Sequence, residues 1–159
     1  MLRLSKKADY ALIAMKHLAA DAPHGAASAR EIAARYDIPL ELLAKVLQQL
    51  TRRGLLASQM GIRGGYQLAR PTATISVADV IQAIDGPLEI TACGPAGEGC
   101  DQFSKCNVRD PLWRVKDRII SVLQTVSLAE IAEAPRRDDS DRPLNVRIGD
   151  AKRSTALGR

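Results

Sequence analysis

Apolar residues near the start of the chain, Ala8, Leu12, Met15, Leu18 and Ala19, fall at steps of three and four. That stripe predicts an amphipathic helix over residues 6–20. A loop, DAPHGAA, follows it. Ser28-Ala-Arg-Glu31 carries the capping-box pattern, in which the serine oxygen accepts from a free backbone N–H and the glutamate reaches back. A short helix, EIAARY, is predicted from there. Asp37-Ile38-Pro39 interrupts it, and Pro39 suits the first residue of a third helix. In PLELLAKVLQQLTRR the inward face is Leu43, Val46, Leu47 and Leu50, and Gly54 stands where a left-handed cap is wanted.

The period then changes. LLASQMGIRGGYQLAR reads as strand, glycine-rich turn and strand, a hairpin closing between Ser58 and Tyr66. ISVADVIQAIDG is helical again, with Ser76 as cap, Val77, Val80, Ile81 and Ile84 inward, and Gly86 past its end. Beyond a loop over 87–108, Asp110-Pro111 caps a long helix on which Leu112, Val115, Ile119, Val122 and Val126 form a seam suited to packing along another helix. Ser127-Leu-Ala-Glu130 predicts one last capped turn, and the polar, aperiodic residues 135–159 are expected to be a disordered tail. The expected fold class is mainly α with a small β-hairpin. It divides into a winged helix-turn-helix DNA-binding domain over 1–86, a cysteine loop over 87–108, a dimerisation helix region over 109–134, and the tail.

Three helices and a glycine-tipped hairpin, in that order, are the parts of a winged helix-turn-helix. A recognition helix needs one apolar face docked on its own domain and a polar face free for the major groove. The polar face expected here offers Glu41, Lys45, Gln48, Gln49, Arg52 and Arg53, side chains able to reach base edges or phosphates. Arg63, in the glycine-rich wing tip Met60-Gly-Ile-Arg63-Gly-Gly65, suits the minor groove. Lys6, Lys7 and Ser28, at two helix starts, complete the expected contact set for a double-stranded DNA operator.

Composition agrees with that partner. The net charge is +5 with a pI near 9.4, and residues 1–90 carry 11 basic against 8 acidic side chains. A mildly basic balance favours nucleic acid. Aromatics are 3% of the chain, so the core must be mostly aliphatic. No apolar run approaches the roughly 20 residues of a membrane span, and the amphipathic N-terminus lacks a signal peptide's apolar block. A cytoplasmic protein with no membrane partner is expected. With no nucleotide-binding glycine fingerprint after a strand and no acid–base group beside the cysteines, an enzyme is not expected.

All three cysteines, Cys93, Cys100 and Cys106, lie in CGPAGEGCDQFSKC, with six residues in the first gap and five in the second. An odd count in a reducing compartment argues for metal or redox use rather than a disulfide framework. Structural zinc sites favour gaps of about two to four residues. Wider gaps let thiolates surround something larger, such as an iron–sulfur cluster. Zinc and a thiol/disulfide switch remain the alternatives, and either would leave a cluster-free winged-helix regulator.

The stretches RLSKKADYALIAMKHLA, SAREIAARYDIPLELLAKVLQQLTRRGLL, GIRGGYQLARP and ISVADVIQAIDGPL, followed by the cysteines, resemble the IscR/NsrR superfamily of bacterial winged-helix regulators. They are most similar to the branch that regulates iron–sulfur cluster assembly (SUF/ISC) operons, over about residues 1–134. The resemblance implies a homodimer joined through the long helix and a two-fold-related operator. It also implies an iron–sulfur cluster (2Fe–2S or 4Fe–4S) on Cys93, Cys100 and Cys106 whose state sets DNA affinity, with repression of assembly genes as the expected output. The chain departs from the pattern in two places. The first cysteine gap is one residue longer than the family's five. The histidine that IscR-like members place three residues after the last cysteine is here Arg109, which cannot ligate, and the chain's only histidines are His17 and His24. NsrR-like relatives use an N-terminal aspartate of the partner subunit, and that position aligns with Asp9, the expected fourth ligand in trans. Asn107, Glu98, Asp101 and a small thiol stay open beside it.

Overall fold

The structure, a computed structural model, describes residues 4–22, 25–61, 64–88 and 100–133. Helix α1 (Lys6–Ala20) starts where the Ser5 hydroxyl accepts from the Ala8 N–H at 3.1 Å. Helix α2 (Ala29–Tyr36) has the predicted capping box: the Glu31 N–H donates to Ser28 Oγ and the Ser28 N–H to Glu31 Oε2. It ends on Asp37 in the left-handed region, φ 52°, a conformation Asp tolerates better than most residues. Pro39 is the N-cap of helix α3 (Leu40–Arg52), one position earlier than expected. Gly54 follows with φ +72°.

Strands β2 (Leu56–Gln59) and β3 (Gly65–Leu68) form the predicted hairpin, with Ser58 opposite Tyr66. A further two-residue strand, β1 (Ala26–Ala27), pairs with the other edge of β3, so the sheet order is β1-β3-β2. It occupies part of the stretch expected to be loop. Its approach requires Gly65, because a Cβ there would sit 2.5 Å from the Ala27 carbonyl oxygen.

Helix α4 (Val77–Asp85) opens on a second capping box, Ser76 with Asp79. Helix α5 (Arg109–Thr125) begins one residue before the predicted Asp110-Pro111 cap, with Val108 as its N-cap. Helix α6 (Leu128–Glu133) carries the expected Ser127–Glu130 cap.

Met15, Ile32, Leu43, Leu47, Leu50, Leu56, Ile75, Ile81 and Leu128 are fully buried and form an aliphatic core. Ala8, Ala11 and Ala14 lie along the buried side of α1, small enough to let neighbouring helices approach closely. The boundary expected at residue 86 does not divide this core. Leu128 belongs to it, the Leu128 N–H donates to the Ile75 carbonyl at 2.7 Å, and the Val77 N–H donates to the Val126 carbonyl at 3.0 Å. Residues after the cysteine segment therefore return to seal the first domain. By contrast α5 buries no residue, and Leu112, Val115 and Val122 are 39, 46 and 60% exposed. Arg63, Cys93, His24 and the tail over 135–159 lie outside the described residues. Among those described, no helix is long and apolar enough to cross a membrane.

Candidate DNA-reading face and cysteine segment

Helix α3 presents three different sides. Leu43, Val46, Leu47 and Leu50 are 0–2% exposed and fix it to the core. Opposite them Glu41, Lys45, Gln48 and Arg52 are exposed. Their spacing of four, three and four places them in one outward stripe. Gln48, Thr51 and Arg52 share an open depression of about 240 Å³ with Ser58 and Tyr66 of the hairpin. Helix and wing thus form one concave surface, polar and partly cationic, of the kind that seats on a duplex. At the hairpin end Met60 is 94% exposed.

The third side corrects the sequence reading. Gln49 was expected on the free face, yet it is half-buried and its side-chain amide donates to the Ala83 carbonyl at 2.9 Å and the Ile84 carbonyl at 3.2 Å. These belong to the last turn of α4, whose carbonyls have no partner within their own helix. Arg53 is exposed but lies on the same flank, on the wall of a cleft of about 340 Å³ between α3 and α4 that Arg70, Asp79 and Gln82 also line. Gln49 therefore faces α4 and not the outward stripe, whereas Arg53 remains exposed on that flank.

Lys6 and Lys7 stand exposed in the first turn of α1. Just before them Ser5 is tied to the end of α4: its hydroxyl donates to Asp85 Oδ1 at 2.6 Å and its N–H to Asp85 Oδ2 at 3.3 Å. The sequence held no local sign of this bond between residues 80 positions apart. Ser28 Oγ is engaged in its helix cap. Asp9 is half-exposed in the first turn of α1, where the helix dipole favours an acid. His17 is no candidate ligand. It is buried at the end of α1 with Nδ1 3.2 Å from the Tyr36 hydroxyl, which donates to Asp21 at 3.3 Å. Burial, helped by the Arg35 charge, pushes its pKa below the ordinary histidine value.

Cys100 and Cys106 are free, half-buried thiols on either side of a short 3₁₀ turn, Phe103–Lys105. Arg109 closes that turn onto the head of α5. Its guanidinium lies 4.6 Å from the Phe103 ring centroid and 5.5 Å from that of Trp113, and Nη1 donates to the Phe103 carbonyl at 3.3 Å. Nε donates to Asp110 Oδ1 at 2.7 Å, and this bond holds the Asp110 carboxyl below its usual pKa. Asp101 and Asn107 are exposed. Among the described residues no three His, Cys, Asp or Glu side chains are grouped to hold a metal ion, so Asp9, Cys100 and Cys106 form no such group within one chain. The two thiols have no disulfide partner and fit soft thiolate ligation of iron or zinc. Farther along α5, Val115, Arg118, Ile119, Val122 and Leu123 line an apolar trough of about 390 Å³.

Comparison with known proteins gives this arrangement a context. Residues 4–134 match the family described as Rrf2, iron-dependent transcriptional regulator. The chain is 32% identical over 158 residues to the HTH-type transcriptional regulator IscR of Citrobacter koseri, covering 94% of this chain and 96% of that protein. It is 34% identical over 148 residues to the regulator of the same name from Xenorhabdus nematophila, covering 89% of each. Among solved structures, CymR (YrzC), the global cysteine regulator of B. subtilis, superposes with a TM-score of 0.69 at 27% identity, covering 86% of this chain and 100% of that one. T. potens IscR superposes with a TM-score of 0.64 at 29% identity, covering 86% and 94%.

Proposed function

The chain belongs to the Rrf2 family of transcriptional regulators, which are not enzymes, and on that premise we propose that it is a dimeric DNA-binding regulator that senses iron–sulfur cluster status and represses iron–sulfur cluster assembly genes. One observation carries this reading: every cysteine of the chain lies in the single segment between the body that presents α3 and helix α5, whose outer face is exposed.

In this reading Glu41, Lys45, Gln48 and Arg52 meet the major groove. Lys6, Lys7 and Ser28 meet phosphate, and Arg63 enters the minor groove. Gln49 leaves the contact set, and the exposed Arg53 stays in it on the flank. The α5 trough pairs with its copy in a second chain, as a 17-residue helix with no buried side chain requires. Cys93, Cys100 and Cys106 would hold the cluster, with Asp9 of the second chain as fourth ligand. Bound there, a cluster would supply a cross-link among thiolates whose integrity depends on iron and oxidants.

The test is to purify the protein without oxygen and record its visible spectrum with iron, sulfide and zinc per chain. Iron with matching sulfide and a charge-transfer band is expected, and Asp9→Ala should then weaken retention. Operator affinity should fall steeply with salt and differ between loaded and unloaded protein. Zinc alone, or no metal with intact thiols, would leave a cluster-free winged-helix regulator instead.

A further inference from the structure

The family resemblance leaves Arg109 as a defect, an arginine where a ligand would stand. The structure assigns it a different role: we infer that Arg109 is a positioning residue that sets the Cys100–Cys106 turn against the head of α5 before any ligand arrives. The inference deepens the cluster reading and rests on it for the identity of the ligand.

The chain has one phenylalanine and one tryptophan, and both stand beside this guanidinium. Phe103 lies between Cys100 and Cys106, and Trp113 lies one helical turn beyond Arg109. The two rings are 6.3 Å apart and tilted by 50°, and Arg109 contacts both faces while its Nη1 takes the Phe103 carbonyl. That carbonyl belongs to a turn without a side-chain cap of its own. A planar, permanently charged group with several fixed donors can stack and donate simultaneously, which lysine cannot match. Histidine could ligate in its place, but it could not span both rings and the carbonyl. The substitution thus exchanges a ligand for a clamp. A turn ordered in advance loses less conformational entropy when its thiolates are captured.

Trp113 makes the clamp measurable, since all tryptophan emission comes from this site. In the unloaded full-length protein, Arg109→Ala should shift that emission to the red and expose it to acrylamide. In protein loaded without oxygen, iron should be lost to a chelator at least about ten-fold faster than from wild type, the lower end of the scale for two part-exposed cation–π contacts and one charged hydrogen bond. Arg109→Lys, which keeps the charge but not the plane, should fall between the two. Phe103→Leu, which leaves Arg109 untouched, should move both readouts in the same direction. Thermal melting of the core should hardly change, because none of these side chains is part of it.

Wild-type emission in Arg109→Ala overturns the clamp. So does exposed emission with wild-type iron retention, since the turn would then be ordered without helping its thiols. A wild-type chain that takes up neither iron nor sulfide would instead sink the cluster reading, and the emission comparison would still decide whether Arg109 holds the turn.

Discussion

Two adjacent glutamines on α3 should behave in opposite ways. Gln48 is exposed on the outward stripe, whereas Gln49 spends its amide on the Ala83 and Ile84 carbonyls at 2.9 and 3.2 Å. Gln49→Met keeps length and helix propensity and removes both bonds. A neutral hydrogen bond contributes about 0.5–1.5 kcal/mol net. Because the site is only half-buried, water recovers part of the loss, and a total of about 1–2 kcal/mol is expected. For a folded body of this size that lowers the melting midpoint by about 3–6 °C. Gln48→Ala touches no internal partner and should stay within about 0.5 kcal/mol of wild type. Its operator affinity, however, should fall by about 1–3 kcal/mol if it reads a base edge. Thermal melting by circular dichroism at one fixed protein concentration, with operator binding by fluorescence anisotropy at fixed salt, separates the two effects. A Gln49→Met protein that melts like wild type yet binds DNA worse than Gln48→Ala would refute the assignment of Gln49 to α4.

Three further outcomes follow from the packing. Gly65→Ala forces a Cβ to within 2.5 Å of the Ala27 carbonyl; overpacking of that kind costs about 1–3 kcal/mol, visible as a lower melting midpoint and loss of the β1–β3 amide protection in hydrogen exchange. His17, facing Tyr36, Asp21, Arg35 and Glu31, has its folded pKa below the ordinary 6.5. Its contribution is therefore complete above that value and is lost as pH falls, because the unfolded chain takes up the proton first. Urea unfolding at about pH 7.5 and about pH 5.5 should show the drop, and His17→Gln should reduce it; Glu31, also depressed, contributes fully above its own ordinary 4.5 and loses that contribution only as pH falls below it, outside this window. Val122→Asp places a charge on the exposed α5 trough and should convert a dimer to a folded monomer in sedimentation, since α5 contributes nothing to the buried core; a dimer that persists would locate the interface elsewhere.

The fold was legible where its causes are local. The Ser28–Glu31 capping box, the Ser76 cap, the αL glycine after α3 and the hairpin register are set by neighbours a few residues apart, so their signals survive in the sequence. What failed depends on distant partners. Ala26 and Ala27 have no strand propensity to show, and β1 exists because glycine at 65 lets β3 approach. Gln49 lies on the flank of an amphipathic helix, where periodicity identifies the buried side but not which flank a later helix will cover. Leu128 looked like part of a terminal turn because nothing local tells that it fills the gap beside Ile75. For the site, the thiol spacing is readable, while the stacking of Arg109 on Phe103 and Trp113 has no periodic signature; the gathering of the only Phe and only Trp within a few residues of one arginine is its one local sign.

The same packing limits how a ligand at the cysteines would reach DNA. Helix α3 cannot shift alone, because its four inward side chains are 0–2% exposed and Gln49 locks it to α4. The segment over 87–108 leaves from that locked α4, and the far end of α5 is fixed again through Val126 and Leu128 to residues beside Ile75. Within one chain the reading surface is therefore set. In the proposed dimer, what remains adjustable is how α5 crosses its copy. A 17-residue helix is ~25 Å long, so a change of about 5° in crossing angle moves its far end, and the reading body attached there, by about 2 Å. Base-edge hydrogen bonds weaken steeply outside a window of about 0.5 Å, so that displacement is enough to put both half-sites of an operator out of register together. Regulation in this architecture would thus be a property of the pair of chains, and a monomeric variant should bind a half-site with the same affinity whether its cysteines are loaded or empty.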